Sequence, residues 1–307
     1  MQIEIKAATN IGKVREANED SFCILKAPDA AYICDGMGGH AAGATASQLA
    51  IDTIARIHRA TNPDAYASLN DEKAERLAIY FYQLNNQLEP TLPDAAAKML
   101  NGVQLANARI HQTAYENPHL LGMGTTVVGF SFVDNLSLIV HVGDSRAYRI
   151  RNKKIEQLTL DHSWVNELVQ TGKIDPGEAK KFPHRNVITR ALGVNPSVRA
   201  DLRLDPVQAG DYFLISSDGL HDLVSEEDIL AQIIRHPDDL TQTLAALIEL
   251  ANAQGGRDNI SAAIAKILDA DSFPNEYYYK DSIPEESPIQ TELELKILGL
   301  LLNSKNE

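Results

Sequence analysis

The chain has 307 residues, 44% of them apolar, with 42 acidic against 28 basic side chains and a formal charge of −14. A core of ordinary size is available, and the negative field disfavours nucleic acid and anionic lipid as partners. Cys23 and Cys34 lie in apolar runs without zinc spacing and read as core filler; MQIEIK carries no secretion-signal core and no apolar stretch reaches the ~18 residues of a membrane span, so a soluble cytoplasmic protein is expected.

Residues 2–8 alternate as a strand does, and Phe22–Leu25 and Ala31–Cys34 read as two more, split by the Pro28-Asp29 turn. From Ala44 to about Arg59 the period becomes helical, with Leu49, Ile54 and Ile57 near one face. Residues 71–88 and 94–115 predict two further helices, separated by Pro90 and Pro93. The period then returns to two. TTVVGFSF (125–132), LSLIVHVG (136–143), AYRI (147–150) and KIEQL (154–158) predict successive antiparallel strands with tight turns at Asp134-Asn135 and Asn152. A helical piece at 163–171 and a polar loop follow, then strands at 199–204 and 211–217, helices at 225–235 and 239–253, and a strand at 260–268. From Asp269 the composition changes to a Pro-dotted acidic linker. It ends in an amphipathic helix carrying Leu293, Ile297, Leu300 and Leu301, which would dock on its own domain or on a partner.

Acidic residues recur where strands begin or end. Asp35-Gly36 follows AYIC, Gly143-Asp144 follows LIVHV and Asp218-Gly219 follows YFLISS. Asp258 precedes the strand ISAAIAKI and Glu19-Asp20 precedes Phe22. One Asp-Gly pair is a turn signal. Five acidic positions at strand edges can converge on one rim, and converging carboxylates repel unless cations lie between them. Oxygen ligands without sulfur suit Mg²⁺ or Mn²⁺. Gly36, Gly38 and Gly39 remove side-chain bulk around Asp35, so backbone carbonyls and water can approach an ion closely.

The blocks RxxNED (15–20), DGMGGH (35–40), GMGTT (122–126), HVGDSRAYRI (141–150), LTLDHS (158–163), NVITRALG (186–193), SSDGL (216–220) and GGRDNIS (255–261) stand in one order. Together they resemble the metal-dependent Ser/Thr protein phosphatases of the 2C class, the PPM family, in its bacterial form, from about residue 3 to 268. The resemblance implies an α+β fold: a central antiparallel β-sandwich flanked by helices in four αββα layers, with a metal centre at one edge. It implies that Asp35 bridges two Mn²⁺ or Mg²⁺ ions, that Gly36 lends a carbonyl, and that Asp218 and Asp258 hold the second ion. Asp144, with Asp218, matches the holders of a third ion in bacterial relatives. Glu19 and Asp20 match groups that orient metal-bound water, Arg15 the phosphate-binding arginine and His40 a proposed general acid. The stretch 161–187 matches a mobile flap. His141, His162, His184 and His221 are expected to serve structure or solvent contact.

The implied reaction is hydrolysis of protein phosphoserine and phosphothreonine by a water or hydroxide between two ions, with no covalent nucleophile; no CxxxxxR arrangement surrounds either cysteine. The expected partners are phosphorylated proteins, with a bacterial Ser/Thr kinase as opposing enzyme, and a monomer is expected. Two features depart from compact bacterial relatives: a longer helical segment around 64–93 and the 269–307 tail. The tail favours an alternative function, a signalling module of this fold whose C-terminal helix recruits a partner with little turnover. The intact carboxylate set favours the enzyme.

Overall fold

The period-two runs form strands and the helical runs form helices in the computed structural model, which describes residues 1–39, 41–60, 94–179, 182 and 187–270. The strands are β1 (Gln2–Asn10), β2 (Asp20–Leu25), β3 (Asp29–Met37), β4 (Gly124–Thr125), β5 (Val127–Val133), β6 (Leu136–Val142), β7 (Arg146–Arg151), β8 (Lys154–Gln157), β9 (Asp201–Pro206), β10 (Tyr212–Ser216) and β11 (Ile260–Asp269). The helices are α1 (Ala41–Arg59), α2 (Asp94–Glu116), α3 (Trp164–Gln170), α4 (Pro176–Ala179), α5 (Asp218–His221), α6 (Glu226–Arg235) and α7 (Leu240–Ala253).

The strands make two antiparallel sheets, one in the order β1-β11-β10-β7-β8 and one in the order β2-β3-β5-β6-β9, with β4 paired to β3. Alternation decides which side chains meet. On β3, Ala31 and Ile33 face the opposite sheet, where they join Val128, Phe130 and Phe132 of β5 with Phe213, Ile215, Ala263 and Ala265 of the first sheet. Tyr32 and Cys34 face outward, under Ile51 and Ile54 of α1 and Val103 of α2. On the far side, Leu214 and Ile264 are covered by Ile229 of α6 and Leu244 and Leu247 of α7. The result is the expected αββα layering, and strands covered on both faces read as continuous apolar runs. The expected hairpin turns also form: Asp134, Asn135, Asn152 and Lys153 all take positive φ, as two-residue hairpin turns of this hand require.

Three details differ from the sequence reading. β3 does not end before Asp35. It runs to Met37, because Gly36 and Met37 pair with Thr125 and Gly124, so Asp35 is a strand residue. The run 125–132 is correspondingly divided between β4 and β5. The short helices α4 and α5 carry no periodic signal at four residues each. The helix expected at 71–88, the segment 64–93, His184 and the tail helix lie outside the described residues.

Candidate metal centre

Strand register brings the acidic positions to one edge of the sandwich. In one sheet, Asp20 opens β2 directly opposite Asp35 of β3. In the other, the end of β10 pairs with the start of β7 (Ser216 with Arg146) and with β11 (Ser216 with Ala262). Asp218, first residue of α5, therefore leaves beside the Gly143-Asp144 turn that leads into β7. Asp258 arrives from the other side, two residues before β11. Asp20, Asp35, Asp144, Asp218 and Asp258 thus come together, with Glu19 and Arg15 on the adjoining β1–β2 loop.

The backbone around Asp35 is fixed from several sides. Its amide donates to Thr126 Oγ1 (3.1 Å), and its carbonyl accepts from the Thr126 amide (2.9 Å) and from Thr125 Oγ1 (2.8 Å). The Gly36 amide donates to the Glu19 carbonyl at 3.2 Å. A Cβ on Gly36 would lie 2.2 Å from the Gly43 carbonyl oxygen and 2.6 Å from that of Glu19. Glycine is required there because the start of α1 packs directly on the strand backbone.

The carboxylates strain against one another. Burial raises the proton affinity of Asp35 well above the ordinary range, and Asp20, Asp218, Asp144 and Asp258 add to it. Asp218 is pushed up to about 8, first by burial and then by Asp144 and Asp258. Burial is also the main cause that brings Asp144 and Asp20 to about 6. Ser217 Oγ donates to Asp20 Oδ2 at 2.9 Å, while Asp20 Oδ1 and Asp218 Oδ1 are buried with no hydrogen-bond partner. Buried acceptor oxygens left bare and crowded by like charge fit a hard divalent cation, which satisfies both defects at once.

Arg15 lies at the rim, half exposed, and its Nη2 donates to Asp258 Oδ2 at 2.6 Å. His40 lies outside the described residues, so its side chain is not placed. Sequence reasoning passed over Asn259. Its Oδ1 accepts from the Glu19 amide (2.8 Å), and its Nδ2 donates to the carbonyls of Ile11 and Ala17 (3.0 Å each). Asn259 thereby ties the loop of Arg15 and Glu19 to the loop of Asp258; the polar residue entering an otherwise apolar strand was the available signal. Beside the carboxylates, a cavity of about 380 Å³ is lined by Asp144, Asp161, Ser163, Asp218 and Asp222, and by Arg146. Arg146 is held by Asp161, with Nη2 donating to Oδ2 at 2.7 Å.

Comparison with known proteins places the chain in a family. The curated serine/threonine protein phosphatase PstP of Mycobacterium tuberculosis is 36% identical over 265 residues, 86% of this chain and 45% of PstP, so the chain spans less than half the length of that relative. Protein phosphatase PhpP of Streptococcus pneumoniae is 32% identical over 273 residues, 88% of this chain and 100% of PhpP. A crystal structure of the PstP catalytic domain in complex with two manganese ions superposes with a TM-score of 0.65 at 33% identity, covering 87% of this chain and 99% of that one. Residues 13–269 match the family model for protein phosphatase 2C, and the chain belongs to that family.

Proposed function

We propose that the chain hydrolyses phosphoserine and phosphothreonine in proteins in a reaction dependent on Mn²⁺ or Mg²⁺. The observation that carries this is the gathering of Asp20, Asp35, Asp144, Asp218 and Asp258 with bare buried oxygens on Asp20 and Asp218. When bound, two such ions supply the positive charge that a phosphate dianion needs in an acidic site and bring the pKa of a water between them toward neutrality.

The chain's own residues do the rest. Asp35, the Gly36 carbonyl, Asp218 and Asp258 would hold two ions, and Asp144 with Asp218 would hold a third. Asp20 and Glu19 would orient the attacking water. Arg15 offers a planar pair of donors to two phosphate oxygens. Its Asp258 contact is exposed enough to exchange when substrate arrives. His40, assigned by its place in DGMGGH, protonates the leaving Ser or Thr oxygen; such general acids contribute roughly 10²–10⁴-fold. The phosphatase unit is residues 1–268, with the acidic tail outside it. Its partners are phosphorylated proteins, including the products of a Ser/Thr kinase. Among the described residues no helix is long and apolar enough to cross a membrane.

Hydrolysis of 4-nitrophenyl phosphate and of a phosphothreonine peptide by the full chain should appear with Mn²⁺ and vanish with EDTA. Absence of turnover across Mn²⁺, Mg²⁺ and Co²⁺ would leave the binding module instead. Arg15→Ala should raise KM for the phosphopeptide about tenfold or more with a smaller change in kcat, since a charge-assisted hydrogen bond contributes about 1.5–3 kcal/mol. Unchanged kinetics would remove Arg15 from the phosphate site.

A further inference from the structure

His141, His162 and Asp201 bring ligand-type atoms within 4.8 Å of one another. Their hydrogen bonds argue against a metal there. His162 Nδ1 accepts from the Gly143 amide at 3.1 Å, so the imidazole proton is on Nε2, which faces Asp201 Oδ2 at 3.2 Å. His141 Nε2 donates to the Leu160 carbonyl at 3.0 Å. Arg190 already supplies a cation, with Nη1 donating to Asp201 Oδ1 at 3.2 Å and also standing 3.2 Å from His162 Nε2.

The same bonds have a different use. His162 is attached twice to Gly143, since its backbone amide also donates to the Gly143 carbonyl at 2.9 Å. Gly143 has φ +107°, and a Cβ on it would meet Thr126 at 2.7 Å, so the turn that presents Asp144 has a single tight shape. From the other side, His221 of α5 bonds Ser216 Oγ at 3.0 Å and the Asp144 backbone. His162 and its neighbour also bond the segment at 187–189: the His162 carbonyl accepts from the Thr189 amide (2.8 Å), and the Trp164 amide donates to the Val187 carbonyl (2.9 Å). The imidazole is buried and stacked on His141, with centroids 4.6 Å apart and planes at 16°.

We propose that His162, with its tautomer set by the Gly143 amide and Asp201, is a positioning residue that fixes the Gly143-Asp144 turn and ties it to the segment at 187–189. The proposal rests on the reading of Asp144 as part of the metal centre. The carboxylate sets the imidazole, the imidazole sets the Gly143 amide, and the amide sets the direction in which Asp144 leaves the turn. Outer partners of this kind typically change metal affinity or activity by about 10–100-fold when removed.

The test is the Mn²⁺ dependence of 4-nitrophenyl phosphate turnover by the full chain, with thermal melts in EDTA to establish folding. Asparagine places its Oδ1 where Nδ1 stands and keeps the acceptor for Gly143, whereas glutamine reaches Asp201 but leaves the Gly143 amide unpaired. The half-activating Mn²⁺ concentration should rise about tenfold or more in His162→Gln and stay within about threefold of wild type in His162→Asn. Asp201→Asn, which keeps the ring but frees its tautomer, should shift it in the same direction as glutamine. A role in stability alone would move both His162 variants together. Equal shifts in Asn and Gln, or wild-type values in both Gln and Asp201→Asn, would overturn the proposal. A wild-type chain with no metal response would instead overturn the phosphatase reading.

Discussion

Asp218→Asn should abolish Mn²⁺-dependent turnover while making the metal-free protein more tolerant of alkaline pH. The two effects share one cause. Asp218 is crowded by Asp144 and Asp258 in a site that burial already makes unfavourable for charge, and its carboxyl is raised to about 8. The folded state therefore binds its proton more tightly than the unfolded chain does, where the value is near 4. Stability contributed below that value is lost as pH rises through about 8. Asparagine preserves shape but cannot ionise, so in EDTA its melting temperature should fall less between pH 5 and pH 9 than that of the wild type. The same change removes a proposed negative ligand from the centre and should cost kcat about 10²–10³-fold or more, the range for losing a preorganised electrostatic partner. Turnover and melting curves at three pH values check both halves. Near-normal turnover would take Asp218 out of the ion shell, and parallel pH slopes would remove the charge-crowding account.

Gly36→Ala is expected to be nearly as severe, for a reason of shape rather than charge. The added methyl would stand 2.2 Å from the Gly43 oxygen and 2.6 Å from the Glu19 oxygen. Both are backbone atoms, so no side chain can swing aside. Overpacking in cores typically costs about 1–3 kcal/mol, and a contact this close to rigid backbone belongs at the upper end or beyond. To relieve it, α1 must lift from β3 or the Glu19 loop must move, and either displaces groups flanking Asp35. Melting temperature and Mn²⁺-dependent turnover should both drop sharply. Gly102→Ala is the matched control. That site is in α2, its nearest neighbour would be Ile54 Cα at an ordinary 3.5 Å, and exchanging a helical glycine for alanine stabilises by about 0.5–1 kcal/mol. A mild Gly36→Ala would mean that the α1–β3 contact is loose.

Much of the fold is legible in the sequence. Val128, Phe130 and Phe132 announce a strand by alternation, and Asp134-Asn135 announces the hairpin after it. Asp35, Asp144, Asp218 and Asp258 were singled out by their places at strand edges, and the ordered motif blocks supplied the family and hence the layering. What escaped was whatever depends on distant pairing. Asp35 reads as the residue after a strand because its apolar run stops there; only the Gly36–Thr125 pair, 89 residues apart in sequence, extends β3 through it. His162 reads as a structural residue in the sequence because its partners Gly143 and Asp201 lie 19 and 39 residues away. Asn259 was hidden in the same way, since its partners Ile11 and Ala17 belong to the opposite end of the chain.

The pairing of β1 with β11, Gln2 opposite Asp269 and Asn10 opposite Ile260, has a bearing on biosynthesis. Asp20 and Asp35, two of the five clustered aspartates, are translated well before the strand that seats Asp258 and joins the first sheet, which ends at Asp269. A nascent polypeptide halted before that point has its opening strand unzipped and its acidic rim incomplete. The proposed phosphatase competence would thus arrive late, after the ribosome has delivered β11.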